Sequence, residues 1–360
     1  MEVYKPIVLQ CISLLCLLVF FIFSKLKRST SLKAISLFFI LIFVLSVFIN
    51  RDYSANIDLP LYMDFYKYNV VFKDIFVSKT AWKGDYIFFA LMPISHLMGL
   101  AQEDYITFQL ILSIGLTFLA YFYFFKESRA LMFLALFYML NSSSFYLIQG
   151  NVIRQGLSSS LLLLSLCVLP GIQTNLLKFM AFFSHKGSVF SFLTGFLKLK
   201  NRVRAIILVL GLLAGYFSLF VLLLKLLPLP QFVITKLEFY STFERASSNS
   251  IIKLGLLLLF NLLFLLFRNR DKNYEKAYSL FFSFSLAALL FFRFDGMFSR
   301  LILYTDIFVP ILTVGVIQQF STKSNRVIAS AIGITFSMVY SVYVFNHESI
   351  LFNMGKYFSV

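Results

Sequence analysis

Two polar runs interrupt a chain that is otherwise almost continuous apolar sequence: Asn151, Val152, Ile153, Arg154 and Gln155, then Ser184, His185, Lys186, Gly187 and Ser188. A guanidinium or an imidazole beside membrane spans costs several kcal/mol unless it faces a polar cavity or a partner, so each points to function. Arg154 presents a planar fork of donors near a helix amino terminus, whose dipole also favours anions, and this suits a phosphate or diphosphate, with Gln155 beside it. The plainer reading of Arg154 is a side chain snorkelling to the interface. His185 adjoins Lys186 and is flanked by Ser184 and Ser188. A neighbouring cation favours the neutral imidazole, the form that takes a proton from a hydroxyl. The plainer reading there is a ring hydrogen-bonded to a carbonyl. His96 and His347 lack such company and read as structural.

Arg293, Asp295, Arg300 and Tyr304 form a further group, Tyr304 lying one turn beyond Arg300 on the same helix face. They read either as an outer loop with an exposed ion pair or as a second cationic arm over the same outer-facing cavity. Between residues 51 and 86, carboxylates alternate with aromatics, among them Asp58, Tyr62, Asp85 and Tyr86. Sugar hydroxyls want acceptors and sugar faces want flat apolar surface, although interfacial aromatic belts use the same residues. Asn151 and Ser188 offer further hydrogen bonds to a substrate. Other chemistries fail on inventory: the sequence lacks a paired-carboxylate site within a span, a Gly-rich phosphate loop and a His-Glu metal motif. Cys11, Cys16 and Cys167 all sit in apolar stretches, without metal-ligand spacing. Group transfer without metal or cofactor remains.

The elements that must position these groups are membrane helices. Of 360 residues, 60% are hydrophobic and 13% charged, with 47 Phe. Runs long enough to cross a bilayer fall at about 7–24, 34–49, 105–125, 130–148, 152–169, 203–227, 251–267, 277–292, 301–320 and 327–345. Two awkward segments, 86–100 with Pro93 and His96, and 175–197 with His185 at its centre, read as broken or re-entrant and as cavity-lining. The expected fold is therefore all-α: one polytopic transmembrane domain over 1–360, with 10–12 transmembrane helices and outer loops near 50–85 and 228–250. The first run lacks a small-residue cleavage site and reads as a retained span with its basic flank inside. With ten crossings the inside loops hold sixteen basic and three acidic residues, whereas the loop 51–85 is balanced. Twelve crossings would instead put Arg154 at the inner face. The formal charge of +16 lies in clusters between apolar runs, which membrane orientation explains better than nucleic acid.

The order of these motifs resembles the EpsG family, within the wider Wzy-type bacterial polysaccharide polymerases. The resemblance runs from an Asp-containing outer loop ending in Tyr (Asn56, Asp58, Tyr62), through Lys83, Gly84, Asp85 and Tyr86, to Ile153, Arg154 and Gln155. It continues in Phe183, His185 and Ser188, and in Arg300 and Tyr304. Asn56 replaces a usual Gly, Ser184 separates Phe183 from His185, and Gly187 adds a residue before Ser188. The resemblance implies a GT-C-like membrane glycosyltransferase that joins undecaprenyl-diphosphate-linked repeat units at the outer leaflet of the bacterial cytoplasmic membrane. Arg154 and His185 would be catalytic, and Arg300, Arg293, Gln155 and Lys186 would hold the diphosphate. Asn151, Ser188, Tyr304, Asp58, Tyr62 and Asp85 would contact sugar. Its partners would be membrane lipids and the flippase and chain-length regulator of the same pathway. The rival expectations are a lipid-linked oligosaccharide flippase and a membrane O-acyltransferase acting on surface glycan.

Overall fold

A computed structural model describes residues 4–25, 30–49, 58–77, 85–150, 152–168, 171–197, 199–219, 222, 226, 248–267, 269 and 271–347. They fold as sixteen α-helices and one 3-10 segment, with no strand among the described residues. The expected outer loop at 228–250 lies almost wholly outside them. The protein is an all-helical, polytopic membrane protein. The chain packs as two compact units, Met1–Ser188 with Thr322–Val360, and Val189–Ser321.

The first unit holds α1 (Tyr4–Lys25), α2 (Thr30–Ile49), α3 (Asp58–Tyr68), α4 (Phe72–Val77), α5 (Tyr86–Leu97), α6 (Gln102–Phe124), α7 (Arg129–Leu140), α8 (Ser143–Gly150), α9 (Ile153–Ser165) and α10 (Ile172–Ser184). At its centre is α9, buried on every side, with α6 and α10 packed along it. α5 lies against α10 and α3 against α6. A seam of polar side chains ties α6, α8 and α9: Ser160 Oγ donates to the Ser113 carbonyl at 2.8 Å and bonds Thr117 Oγ1 at 2.8 Å, while Ser113 also bonds Gln149. Such mutual satisfaction is what makes buried polar groups tolerable where no water reaches. Gly156 sits in the seam because a Cβ there would come within 2.9 Å of the Ile148 carbonyl oxygen.

Helix continuity departs from the apolar runs. α2 and α6 are long and apolar enough to cross a bilayer alone. The run at 130–148 is instead two helices, α7 and α8, bent by 78°. Asn141 and Ser142 stand at the break, and Asn141 Nδ2 donates to the Phe137 carbonyl at 2.9 Å. The run at 301–320 likewise divides into α14 (Asp295–Asp306) and α15 (Val309–Gln319), bent by 48°. The run at 152–169 yields only the 13 residues of α9, a rise of about 20 Å against a hydrocarbon core of about 30 Å. Of the two awkward segments, 86–100 forms one short helix that includes Pro93, and 175–197 breaks at His185 as expected.

The second unit carries most of the 3-10 segment (Lys186–Leu197), then α11 (Asn201–Tyr216), α12 (Ser248–Leu266), α13 (Lys272–Leu290), α14 and α15. α13 is its core element, packed on α11, α12, α14 and α15. α11 approaches it through Gly211 and Gly215, small residues four apart that let helix backbones close up. A Cβ on Gly215 would fall 1.8 Å from the Leu289 carbonyl oxygen. Gly215→Ala is therefore expected to destabilise the protein by at least about 1–3 kcal/mol, the cost of overpacking. Gly115→Ala, where nothing lies within 4 Å, should be neutral. The fraction of each variant staying monodisperse on heating in detergent checks this. Arg204 is 1% exposed on α11, its guanidinium 4.8 Å from the Tyr278 ring centroid. The last helix, α16 (Lys323–His347), returns to the first unit, against α1 and α8.

Candidate active site

The geometry around Arg154 follows from a helical hairpin. α9 and α10 each have 13 residues and run antiparallel, with Gly171 in a turn just before Ile172. Ser158 Oγ donates to the Ala181 carbonyl at 2.9 Å, which fixes their register. Ser158 lies one turn after Arg154 and Ala181 one turn before His185, so Arg154 and His185 occupy the same end of the hairpin. His185 is where α10 stops: its N–H still donates to Ala181 at 3.0 Å, but its own backbone is extended, with φ −158° and ψ 119°. The 3-10 segment begins at Lys186, and the Ser188 N–H donates to the His185 carbonyl at 3.1 Å.

Arg154 does not snorkel. It is 3% exposed, its Nε–H donates to Tyr62 Oη at 3.1 Å and its Nη1 pairs with the Asp85 carboxylate. The guanidinium carbon also lies 5.4 Å from the centre of the Tyr62 ring. Tyr62 reaches it from α3, whose buried face is Leu59, Tyr62 and Tyr66, spaced at three and four residues. The opposite face is exposed and carries the Asp64–Lys67 pair. Tyr62 packs on Phe88 of α5, and Tyr66 stacks on both Tyr105 and the His96 ring, 3.9 Å away. One His96 ring nitrogen meets the Tyr66 carbonyl at 2.8 Å, a structural use of that histidine.

Four of the residues singled out from sequence thus meet directly: Tyr62, Asp85, Arg154 and, through its backbone, Lys186, whose N–H donates to the second Asp85 oxygen at 3.2 Å. Gln155 is fully buried beside Arg154 on α9. Ser188 is also fully buried, and its Oγ has no hydrogen-bond partner among the described residues. His185 is half-buried between the buried Ser184 and Ser188. Arg293, Arg300 and Tyr304 belong to the second unit, where both arginines are exposed and Tyr304 is buried, stacked 4.7 Å from Phe284. Asp295 takes hydrogen bonds from Ser250 and Ser299 there. Asn151 and the Asp58 side chain lie outside the described residues, as does that of His347.

Sequence reading missed the pairing of Asp85 with Arg154. The available signal was charge inventory, since a buried guanidinium needs a carboxylate and Asp85 is the acid at the mouth of α5. Tyr105 and Gln109, bonded at 3.1 Å behind Tyr66, were missed as well. Among the described residues no three His, Cys, Asp or Glu side chains group as metal ligands would.

The cluster joins a buried, bidentate-capable cation to a half-buried imidazole on one hairpin end, a combination able to hold a phosphoryl oxygen and move a proton. The family model that matches this chain is the EpsG family, over residues 35–359. No curated protein and no solved structure matches it.

Proposed function

Because this chain belongs to the EpsG family, Wzy-type polysaccharide-polymerase-like membrane proteins, we propose that it polymerises oligosaccharide repeat units carried on undecaprenyl diphosphate. The reaction takes place at the outer leaflet of the bacterial cytoplasmic membrane. The bond between the anomeric carbon of the growing glycan and its lipid diphosphate breaks. A new glycosidic bond forms to a sugar hydroxyl of the next lipid-linked unit. His185 takes the proton of that hydroxyl, and Arg154 meets the charge that develops on the departing diphosphate. Gln155 adds a hydrogen bond to the diphosphate, Ser188 contributes one to the sugars, and the exposed Arg293 and Arg300 draw the anionic lipid to the protein. Arginines supply the countercharge, so the transfer needs no metal.

One observation carries this reading: a guanidinium buried at 3% exposure shares the end of a helical hairpin with His185. Interfacial arginines stay wet, and one buried with partners inside a membrane protein marks a substrate or ion site. The test is reconstitution of the purified protein in vesicles containing the lipid-linked repeat unit and EDTA. A ladder of lipid-linked oligomers spaced by one repeat is the expected product. Units that cross the bilayer but stay monomeric would identify a flippase, and units that gain acetyl groups an acyltransferase.

A further inference from the structure

Asp85 stands at the N-cap of α5, where an aspartate ordinarily accepts from its own helix's second or third amide. It makes no such bond. Its two oxygens reach instead across the fold, one to Arg154 Nη1 on α9 and the other, at 3.2 Å, to the N–H of Lys186. That amide belongs to the residue after His185, and the turn is closed by the Ser188 N–H on the His185 carbonyl. The side chains of Arg154 and Asp85 are 4% and 6% exposed. A charge pair this dry is poor value as a stabiliser, since well-packed apolar side chains do as well, and its attested use is to fix a unique arrangement.

We propose that Asp85 is a positioning residue for the transfer reaction: one planar carboxylate fixes the distance and angle between the guanidinium that meets the diphosphate and the peptide that carries His185. This rests on the polymerase reading and replaces the sugar-contacting role expected of Asp85 from sequence. A buried carboxylate whose two oxygens are held by protein donors orients its neighbours, as outer-shell carboxylates do around reacting groups.

Asp85→Asn discriminates, because an amide has one acceptor oxygen and serves either Arg154 or Lys186, presenting a donor to the other. In the vesicle assay kcat is expected to fall about 100-fold, the penalty of a misplacement near 1 Å, while KM for the lipid-linked unit stays put. Asp85→Glu keeps two acceptors but carries them one methylene further, so it should lose less, about 10-fold in kcat, again at constant KM. A raised KM with kcat intact would make Asp85 a sugar contact and overturn the proposal, as would unchanged kinetics. If Asp85→Asn does not yield monodisperse protein, Asp85→Glu decides alone: lowered kcat at constant KM supports the proposal, and a raised KM or wild-type kinetics overturns it. A readout without substrate separates this from the polymerase reading. Carbethoxylation of His185 by diethyl pyrocarbonate, followed by mass spectrometry, should accelerate severalfold in the variant while His96 in the same protein is unchanged. Equal His185 rates overturn the proposal whether or not the wild type makes polymer.

Discussion

Arg154→Lys is expected to remain folded, keep its charge and lose about 100-fold or more of polymerising activity, the scale of removing one preorganised donor from developing oxyanion charge. Lysine is a compact ammonium on a flexible stem, and it cannot reproduce the fork by which Arg154 engages Tyr62 and Asp85 through two different nitrogens. Whichever partner the ammonium keeps, its direction towards the diphosphate changes. Arg154→Ala tests something else. It leaves the Asp85 carboxylate buried without its countercharge, a loss of about 3–5 kcal/mol that would show first as reduced yield of folded protein. Lysine is thus the informative substitution, measured as the rate of oligomer formation in vesicles against the amount of monodisperse protein recovered. Wild-type activity in Arg154→Lys would remove the residue from the site.

Arg154 and His185 were legible in the sequence because each is a costly residue in a greasy context, and cost is visible one residue at a time. The break at His185 was legible for the same reason: His185, Lys186 and Gly187 cannot continue an apolar span cheaply. What joins the two residues was not. The hairpin register is set by one hydroxyl, Ser158 on Ala181, and a serine inside a run of serines gives no hint of which carbonyl it finds. Asp85 lies 69 residues from Arg154 in the chain, among acids that read equally well as sugar contacts. Where helices break inside an apolar run was not legible, for a physical reason. Hydropathy reports whether a segment tolerates lipid, whereas continuity depends on local breaks such as Asn141–Ser142, whose amide bonds its own helix end. Arg204, near the start of the apolar run at 203–227, is buried against the Tyr278 and Phe282 rings, a choice of partner that hydropathy does not register. Gly211 and Gly215, which the sequence reading passed over, carry the approach of α11 to α13.

His185→Gln separates proton transfer from binding. Glutamine is close to the imidazole in size and still hydrogen-bonds, but its amide does not take up a proton at neutral pH. If His185 accepts the proton of the attacking hydroxyl, the rate should fall by about 10²- to 10⁴-fold, the usual worth of a positioned base. The backbone around it should tolerate the change, since the bonds that close the turn are made by the His185 N–H and carbonyl and by the Ser188 N–H. Folded yield should therefore match the wild type. In cells the expected phenotype is single repeat units delivered to the surface with no polymer behind them. Units held at the inner leaflet would assign the histidine to translocation. Polymer of normal length lacking only acetyl groups would assign it to acyl transfer. A merely structural histidine, bonded to a carbonyl as His96 is, predicts a different outcome: glutamine would replace the bond and polymerisation would continue, so the fold-change in rate at equal folded yield decides between chemistry and packing.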